Sequence, residues 1–295
     1  MSQRAFPQVA GVDVSHEFVQ ARGLRFHVAF AGPASAPPLL LLHGWPQHWF
    51  VWRKVLPQLV AQYRCVMPDM RGFGWSDAPA QGYERENLAD DVLAILDELG
   101  LDQVDVLAHD WGGWVAYLLA LRQPTRVKRL VTLNIPPPWA GGEPDLKGAL
   151  GLWRLWYQAL LASPLGARVA RSRKLMARAI RADNASPDSF SDADMAQYTA
   201  ALAEPERARA TVQLYRRFLR SDAPAIARGR YADTPLKVPT LLLFGERDRV
   251  IAPRLVDTAV RPGDELTVER VAGSGHFIAE EQPALGAARA LQWYA

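Results

Sequence analysis

The chain has 295 residues, of which 49% are hydrophobic and 22% charged, with a formal net charge of +3. This composition is ordinary for a globular protein with a sizeable buried core, and it excludes an intrinsically disordered chain. The single cysteine, Cys65, excludes a disulfide framework and a zinc site built from cysteines. Because Cys65 lies in a short apolar run, we expect a buried thiol and not a reactive one.

The basic residues do not form a convincing binding face for nucleic acid. Their densest segment, 168–181, contains six cations and no acid, but four aspartates follow within 183–194. A solvated helix face is therefore favoured over an anionic partner. Residues 1–30 lack an apolar run of signal-peptide length, and the apolar run 37–42 is too short to span a bilayer. We accordingly expect a cytoplasmic protein with no nucleic-acid or membrane partner.

The first half of the chain predicts strands that alternate with helices, which is typical of a parallel α/β sheet. Residues 24–30 alternate between apolar and polar side chains and predict a half-exposed strand. Continuous apolar runs predict strands covered on both faces, and apolar residues at helical spacing predict helices between them. These predicted strands are 39–42, 64–67, 104–108 and 130–133, and the predicted helices are 87–99 and 112–121.

The alternating pattern stops near residue 134, where three consecutive prolines at 136–138 cannot continue a strand or a helix. From about 140 to 222 the sequence predicts helices and no strand. Alternation then returns with strands at 239–244 and 265–271, a helix at 253–260 and a last helix from 283. We therefore predict an N-terminal extension at 1–23, an α/β core formed by 24–139 and 223–295, and an inserted helical cap at 140–222.

A tight turn from strand to helix is predicted at 109–113, with the sequence His-Asp-Trp-Gly-Gly. Small residues around the turn let its central side chain project at the top of the sheet, as in a nucleophile elbow. The central residue is Asp110, and a carboxylate in this place can attack carbon and form an ester. The N-terminal end of the following helix favours the anion. Taken alone, Asp110 could instead be an ordinary helix cap.

Three further segments at strand ends could complete a catalytic site. The strand 39–42 leads into His-Gly-Trp-Pro at 43–46, so the backbone N–H groups of Trp45 and Trp111 are candidate oxyanion-hole donors. Asp248 follows the strand 239–244, and His276 lies in a glycine-rich loop. A histidine oriented by a carboxylate can act as a general base. Taken one at a time, these segments could also be a plain turn, a loop aspartate and a surface histidine.

Together these motifs resemble the α/β-hydrolase-fold epoxide hydrolases and their wider group with an aspartate nucleophile, which includes haloalkane dehalogenases. The resemblance covers about 24–295, and one departure is Ala108, where the family usually has glycine. The motifs that carry it are 43–46, 69–77 (Asp-Met-Arg-Gly-Phe-Gly-Trp-Ser-Asp), 109–113, 245–248 and 275–276. It implies an α/β-hydrolase fold: a mostly parallel sheet with helices on both faces and an inserted helical cap.

The resemblance also implies two cap tyrosines that hydrogen-bond the epoxide oxygen, at Tyr157 and Tyr215. Opening an epoxide leaves an alkoxide, which needs a group that stabilises its charge and donates a proton. Release of a halide needs no acid, so these two phenols favour an epoxide hydrolase. The alternative is that they only pack among other aromatic residues, in which case Tyr198 is the obvious substitute.

The implied function is hydrolysis of an epoxide to a vicinal diol through an ester on Asp110, with His276 as base and Asp248 as its partner. The implied partners are a small apolar epoxide and water, with no cofactor and no metal. A haloalkane dehalogenase with the same triad is the alternative, since the Trp111 indole could bind a halide. A non-catalytic ligand-binding member of the fold is disfavoured because all three triad positions are filled, and Asp110 excludes a serine esterase.

Overall fold

The computed structural model describes residues 4–140 and 156–295, and its centre is an eight-stranded sheet. The strands are β1 Val14–Ala21, β2 Leu24–Ala31, β3 Pro38–Leu42, β4 Arg64–Pro68, β5 Val104–His109, β6 Val127–Leu133, β7 Thr240–Gly245 and β8 Leu266–Val271. Their order across the sheet is β1-β2-β4-β3-β5-β6-β7-β8. The β1–β2 and β2–β4 pairs are antiparallel, and the other neighbours pair in parallel.

The described helices connect the strands of the core and fill the segment between β6 and β7. Those of the core are α1 Leu56–Leu59, α2 Arg85–Glu98, α3 Trp111–Arg122, α10 Pro253–Asp257, α11 Ile278–Glu281 and α12 Pro283–Tyr294. Those between β6 and β7 are α4 Trp156–Ala162, α5 Gly166–Arg171, α6 Arg173–Ala182, α7 Asp192–Ala203, α8 Pro205–Arg217 and α9 Ala223–Ala227. Of these helices, none is long and apolar enough to cross a membrane.

Continuous apolar strands are explained by helices on both faces of the sheet. Leu39 and Leu41 pack in the cluster that contains residues of α1 and α12, whereas Leu40 and Leu42 pack in the cluster that contains α2 and α3. All four leucines are 0% exposed. Each contributes roughly 1.5–3 kcal/mol by full burial. The two-sided coverage fixes the strand ends, and with them the loops that carry the candidate site.

The N-terminal part of the sheet differs from the sequence-based expectation in two ways. Residues 14–21, which lie in the predicted extension, form the edge strand β1. The strand β2 is largely buried and not half-exposed. The reason is that its polar residue His27 is buried with a partner, since its Nδ1 lies 2.7 Å from Oδ2 of Asp69. An alternating pattern therefore did not mean an exposed face.

The segment between β6 and β7 is helical throughout its described part, and none of the residues described between 156 and 227 lies in a strand. The helix α9, Ala223–Ala227, begins just after residue 222, where the sequence predicts the return to the core. The helix α8 contacts α4, α5 and α7, and so joins the helices of this segment into one layer.

Candidate active site

The candidate site lies at the edge where the parallel strands have their carboxyl ends. There β3 leads into the Trp45 loop, β5 into Asp110, β7 into Asp248 and β8 into the His276 loop. Parallel strands bring their carboxyl ends to the same edge of a sheet, which is where ligands bind in open α/β folds. Residues far apart in sequence are therefore brought together by the topology.

The backbone at Asp110 has the strained geometry of a sharp turn, with φ at +49° and ψ at −124°. Positive φ is uncommon for residues other than glycine, and it is sustained here by close packing on both sides. A Cβ atom on Gly44 would lie 2.4 Å from Oδ1 of Asp110, and one on Gly112 would lie 2.3 Å from the carbonyl oxygen of Leu42. Only glycine fits at these two positions, which explains the glycines of both motifs.

The carboxylate of Asp110 is bound by one of the two predicted backbone donors, and the other acts on its charge. The Trp45 N–H donates to Oδ1 at 2.9 Å, and the backbone N–H of Trp111 favours the ionised form of the carboxylate. The Nε2 of His276 lies 3.6 Å from Oδ2. Burial opposes the charge, but His276 and the Trp111 N–H outweigh it and lower the pKa of Asp110 below its usual value. Asp110 is therefore a carboxylate anion, the form that a nucleophile requires.

His276 is held between two carboxylates. Its Nδ1 lies 2.9 Å from Oδ2 of Asp248, which leaves Nε2 directed toward Asp110. Burial lowers the pKa of His276, but the charges and hydrogen bonds of Asp248 and Asp110 outweigh burial and raise it to about 10. The other oxygen of Asp248 accepts the N–H groups of Val250 and Ile251, at 2.7 and 2.9 Å. Asp248 is thus fixed as the group that orients the imidazole.

Three residues that hydrogen-bond Asp248 or the backbone around His276 were not identified from the sequence. The Asn134 side chain donates to Oδ2 of Asp248 at 2.8 Å and to the Gly275 carbonyl at 3.0 Å. His109 Nε2 lies 2.9 Å from the carbonyl oxygen of His276, so it donates to that oxygen. The Glu281 carboxylate accepts the backbone N–H groups on both sides of His276. For Asn134 a signal existed, since it is a polar residue directly after a buried strand.

Tyr157 and Tyr215 contact each other beside the two tryptophans that flank the Asp110 carboxylate. Their ring centres are 6.0 Å apart at an interplanar angle of 79°. The Tyr215 ring also contacts the rings of Trp45 and Trp111 edge-on, at 5.4 and 5.9 Å between ring centres. Burial raises the pKa of both phenols well above the usual value, and the charge of Asp110 acts in the same direction. Both are therefore neutral O–H donors at physiological pH.

Tyr198 lies in a different part of the molecule. Its hydroxyl donates to Oε1 of Glu280 at 2.8 Å and accepts from Nη1 of Arg53 at 2.9 Å. These side chains form a buried contact between α7 and the core. Tyr198 is thus already engaged in a structural cluster and is not a substitute for either of the two phenols.

Two further observations concern the cysteine and the side chains that could bind a metal. Cys65 is buried in β4, and burial raises the pKa of its thiol to about 12, so it is not a reactive thiol. In residues 4–140 and 156–295, no three or more His, Cys, Asp or Glu side chains are grouped so that they could hold a metal ion.

The fold and the site define the class of protein. Residues 37–283 match the family model for the alpha/beta hydrolase fold, so the chain belongs to this family. The soluble epoxide hydrolase of Corynebacterium sp. (strain C12) is 32% identical over 96% of this chain and 98% of its own length.

Two solved structures are similar over nearly their whole length. The epoxide hydrolase CorEH without ligand superimposes with a TM-score of 0.78 at 31% identity, covering 96% of this chain and 99% of that one. Cfl2 from Burkholderia cenocepacia superimposes with a TM-score of 0.83 at 32% identity, covering 99% of both chains. The predicted resemblance to α/β-hydrolase-fold epoxide hydrolases is confirmed.

Proposed function

We propose that the protein is an epoxide hydrolase that opens a small apolar epoxide to a vicinal diol through an ester on Asp110. The observation that carries this proposal is the pairing of an anionic Asp110 with two buried phenols, Tyr157 and Tyr215. Asp110 supplies the nucleophile, and the two phenols supply the acids. The epoxide hydrolase from Corynebacterium, which matches over nearly the full chain, supports the same reaction.

In the first step, Asp110 attacks an epoxide carbon, and the bond from that carbon to the epoxide oxygen breaks. The phenols of Tyr157 and Tyr215 donate hydrogen bonds to the oxygen, and one of them gives it a proton. The product is a hydroxyalkyl ester of Asp110. No cofactor is needed for this step, because nucleophile and acid are both side chains.

In the second step, His276 takes a proton from water, and the resulting hydroxide attacks the carboxyl carbon of Asp110. The N–H of Trp45 already binds the carboxylate and that of Trp111 favours its charge, and in this step both stabilise the tetrahedral oxyanion. Collapse of this intermediate breaks the bond from the carboxyl carbon to the alkyl oxygen. The proton of the newly added hydroxyl passes to that oxygen, which returns the Asp110 carboxylate and releases the diol.

The change in charge at Asp110 links the two steps. While Asp110 is ionised, two carboxylates raise the pKa of His276 to about 10, so the imidazole is protonated in the free enzyme. Esterification makes Asp110 neutral and removes one of these carboxylates. The pKa of His276 then falls, and His276 gives up its proton. This proton returns to the phenol that protonated the epoxide oxygen. His276 becomes a base only after the ester has formed.

We further propose that 140–222 is a cap, since Tyr157 and Tyr215 come from this segment.

The contacts of the Trp45 and Trp111 indoles argue against the alternative function, that of a haloalkane dehalogenase. The indole N–H of Trp45 donates to the Thr211 hydroxyl at 3.3 Å, and the Trp111 ring packs edge-on against the Tyr215 ring. A halide site on these two indoles would have to displace the Thr211 hydroxyl from Trp45.

The direct test combines a substrate panel with a trapped intermediate. Styrene oxide and aliphatic epoxides should give diols, and 1-bromoalkanes should give little or no halide. In His276→Gln the first step remains but the second is blocked, so intact-mass spectrometry should show the protein heavier by one substrate molecule. Peptide mapping should locate the adduct at Asp110, and Asp110→Ala, the matched control, should remain unmodified. Absence of diol from every epoxide, together with an unmodified His276→Gln, would contradict the proposal.

A further inference from the structure

A buried arginine next to the nucleophile has no part in the mechanism described so far. Arg85 is the first residue of α2, and its side chain is 2% exposed. Its guanidinium carbon lies 3.8 Å from the centre of the Trp111 ring and 5.4 Å from the centre of the Phe218 ring. A positive charge therefore packs on the indole of the residue that follows Asp110.

The guanidinium of Arg85 is only partly hydrogen-bonded. Its Nη1 donates to the carbonyl oxygens of Tyr83, at 2.9 Å, and Leu214, at 3.2 Å. Within the described parts of the chain, its Nε and Nη2 atoms are buried without a hydrogen-bond partner. The nearest carboxylate oxygen, Oδ2 of Asp222, lies 3.6 Å from Nη1, which is too long for a good hydrogen bond. A buried charge is costly, so this one requires an explanation.

Two contacts connect Arg85 to groups that act in the proposed reaction. The first is the stacking on Trp111, the residue that follows Asp110, whose ring packs edge-on against the Tyr215 ring at 5.9 Å between ring centres. The second is the hydrogen bond to the carbonyl oxygen of Leu214, which belongs to the peptide group just before Tyr215. A single side chain thus binds both the oxyanion donor and the backbone that carries one of the acids.

We propose that Arg85 is a positioning residue for epoxide opening, which fixes Trp111 and Tyr215 and places a positive charge near the phenol. This inference rests on the proposed function. When Tyr215 protonates the epoxide oxygen, negative charge develops on the phenolic oxygen. A fixed cation in a site of low polarity stabilises that charge far more than it would in water. Asp222 offsets part of the charge but does not bond it closely.

The test measures the first step by itself. In a His276→Gln background the second step is blocked, so rapid quenching and intact-mass spectrometry give the rate of ester formation on styrene oxide. Adding Arg85→Met should slow ester formation about 10- to 100-fold, which is the size expected for loss of a desolvated cation–π contact and its charge. Adding Arg85→Lys, which keeps the charge, should slow it less than Arg85→Met does.

The comparison between lysine and methionine distinguishes a charge effect from packing. Methionine is apolar and flexible and can fill the space on the indole, so a role in packing alone predicts that Arg85→Met is at least as active as Arg85→Lys. The matched control is Arg217→Met, because Arg217 lies on α8, is 39% exposed and pairs with Glu84. Ester formation should be unchanged in this control.

The outcomes separate this inference from the proposed function. If His276→Gln alone forms no ester, the proposed function fails. If His276→Gln does form the ester, two results overturn the inference. The rate of ester formation is unchanged when Arg85→Met is added, or it equals the rate with Arg85→Lys. Should Arg85→Met fail to fold by circular dichroism, Arg85→Gln replaces it in the same comparison with Arg85→Lys, and equal rates again overturn the inference.

Discussion

In the proposed reaction, the residues that distinguish epoxide opening from halide release are Tyr157 and Tyr215, because only the epoxide oxygen needs a proton. Removing one phenol leaves the other to bind the oxygen, so single Tyr→Phe changes should lower kcat on epoxides by up to roughly 10²- to 10⁴-fold. The double change should abolish diol formation, since no acid remains. Phenylalanine keeps the ring contact between these residues, and thermal unfolding should shift little. Steady-state assays with styrene oxide measure the effect.

Release of bromide, a second reaction that Asp110 could carry out, provides the control for this prediction. Any weak release of bromide from a 1-bromoalkane should fall much less in the double variant, because bromide leaves without a proton. Epoxide opening by the double variant near the parent rate would make both tyrosines packing residues, and the dehalogenase alternative would then gain support.

The residues predicted from sequence and those that were missed differ in how their roles arise. Asp110, Asp248 and His276 occupy local motifs at strand ends, and the structure brings their side chains into contact. Asn134 and Arg85 belong to no such motif. Their roles come from contacts with residues 114 and 26 positions away, and such contacts become visible only when the chain is folded. Sequence patterns could therefore predict the reacting groups but not the groups that hold them.

Among the elements, strands with continuous apolar sequence were predicted well and the edge of the sheet was not. The four leucines of β3 leave no choice of an exposed face, so the sequence determines their environment. β1 has exposed and half-exposed residues over most of its length, and its strand conformation depends on antiparallel pairing with β2. His27 likewise depends on a partner that is distant in sequence. It could not be recognised as buried before Asp69 was known to be that partner.

One helix of the segment between β6 and β7 makes a polar contact with the core that affects stability and not chemistry. On α7, Tyr198 donates to Glu280 and accepts from Arg53, and Asp194 pairs with Nη2 of Arg53 at 2.8 Å. Tyr198→Phe removes one hydrogen-bond partner from Glu280 and one from Arg53, and both side chains are buried. We expect a loss of about 1–3 kcal/mol in the free energy of unfolding, measured by chemical denaturation.

The same variant is a matched control for the two phenols that we propose as acids, Tyr157 and Tyr215. Because the Tyr198 hydroxyl is bound to Glu280 and Arg53, kcat on epoxides well below the melting temperature should stay near that of the parent. A drop in kcat comparable to that of Tyr157→Phe or Tyr215→Phe, without loss of stability, would contradict this separation of roles.

At the scale of the whole molecule, the arrangement of two carboxylates around one imidazole couples the active site to the stability of the fold. In the free enzyme Asp110 and Asp248 raise the pKa of His276 to about 10, compared with 6.5 for an unperturbed histidine. Below pH 6.5 the folded and unfolded chains both carry the proton, so the stabilisation is fully present. Between 6.5 and about 10 only the folded chain keeps it, so the stabilisation is lost as the pH rises.

This linkage predicts a specific difference between the parent and His276→Gln. Urea unfolding at a series of pH values should show the parent losing stability with rising pH more steeply than the variant. The difference in slope should reach at most about 1.4 kcal/mol per pH unit, the limit for one proton. Other titrating groups contribute to both proteins and cancel in the comparison. Parallel curves between pH 6.5 and 10 would mean that His276 is neutral in the free enzyme. The phenol would then have to recover its proton from another source after the ester has formed.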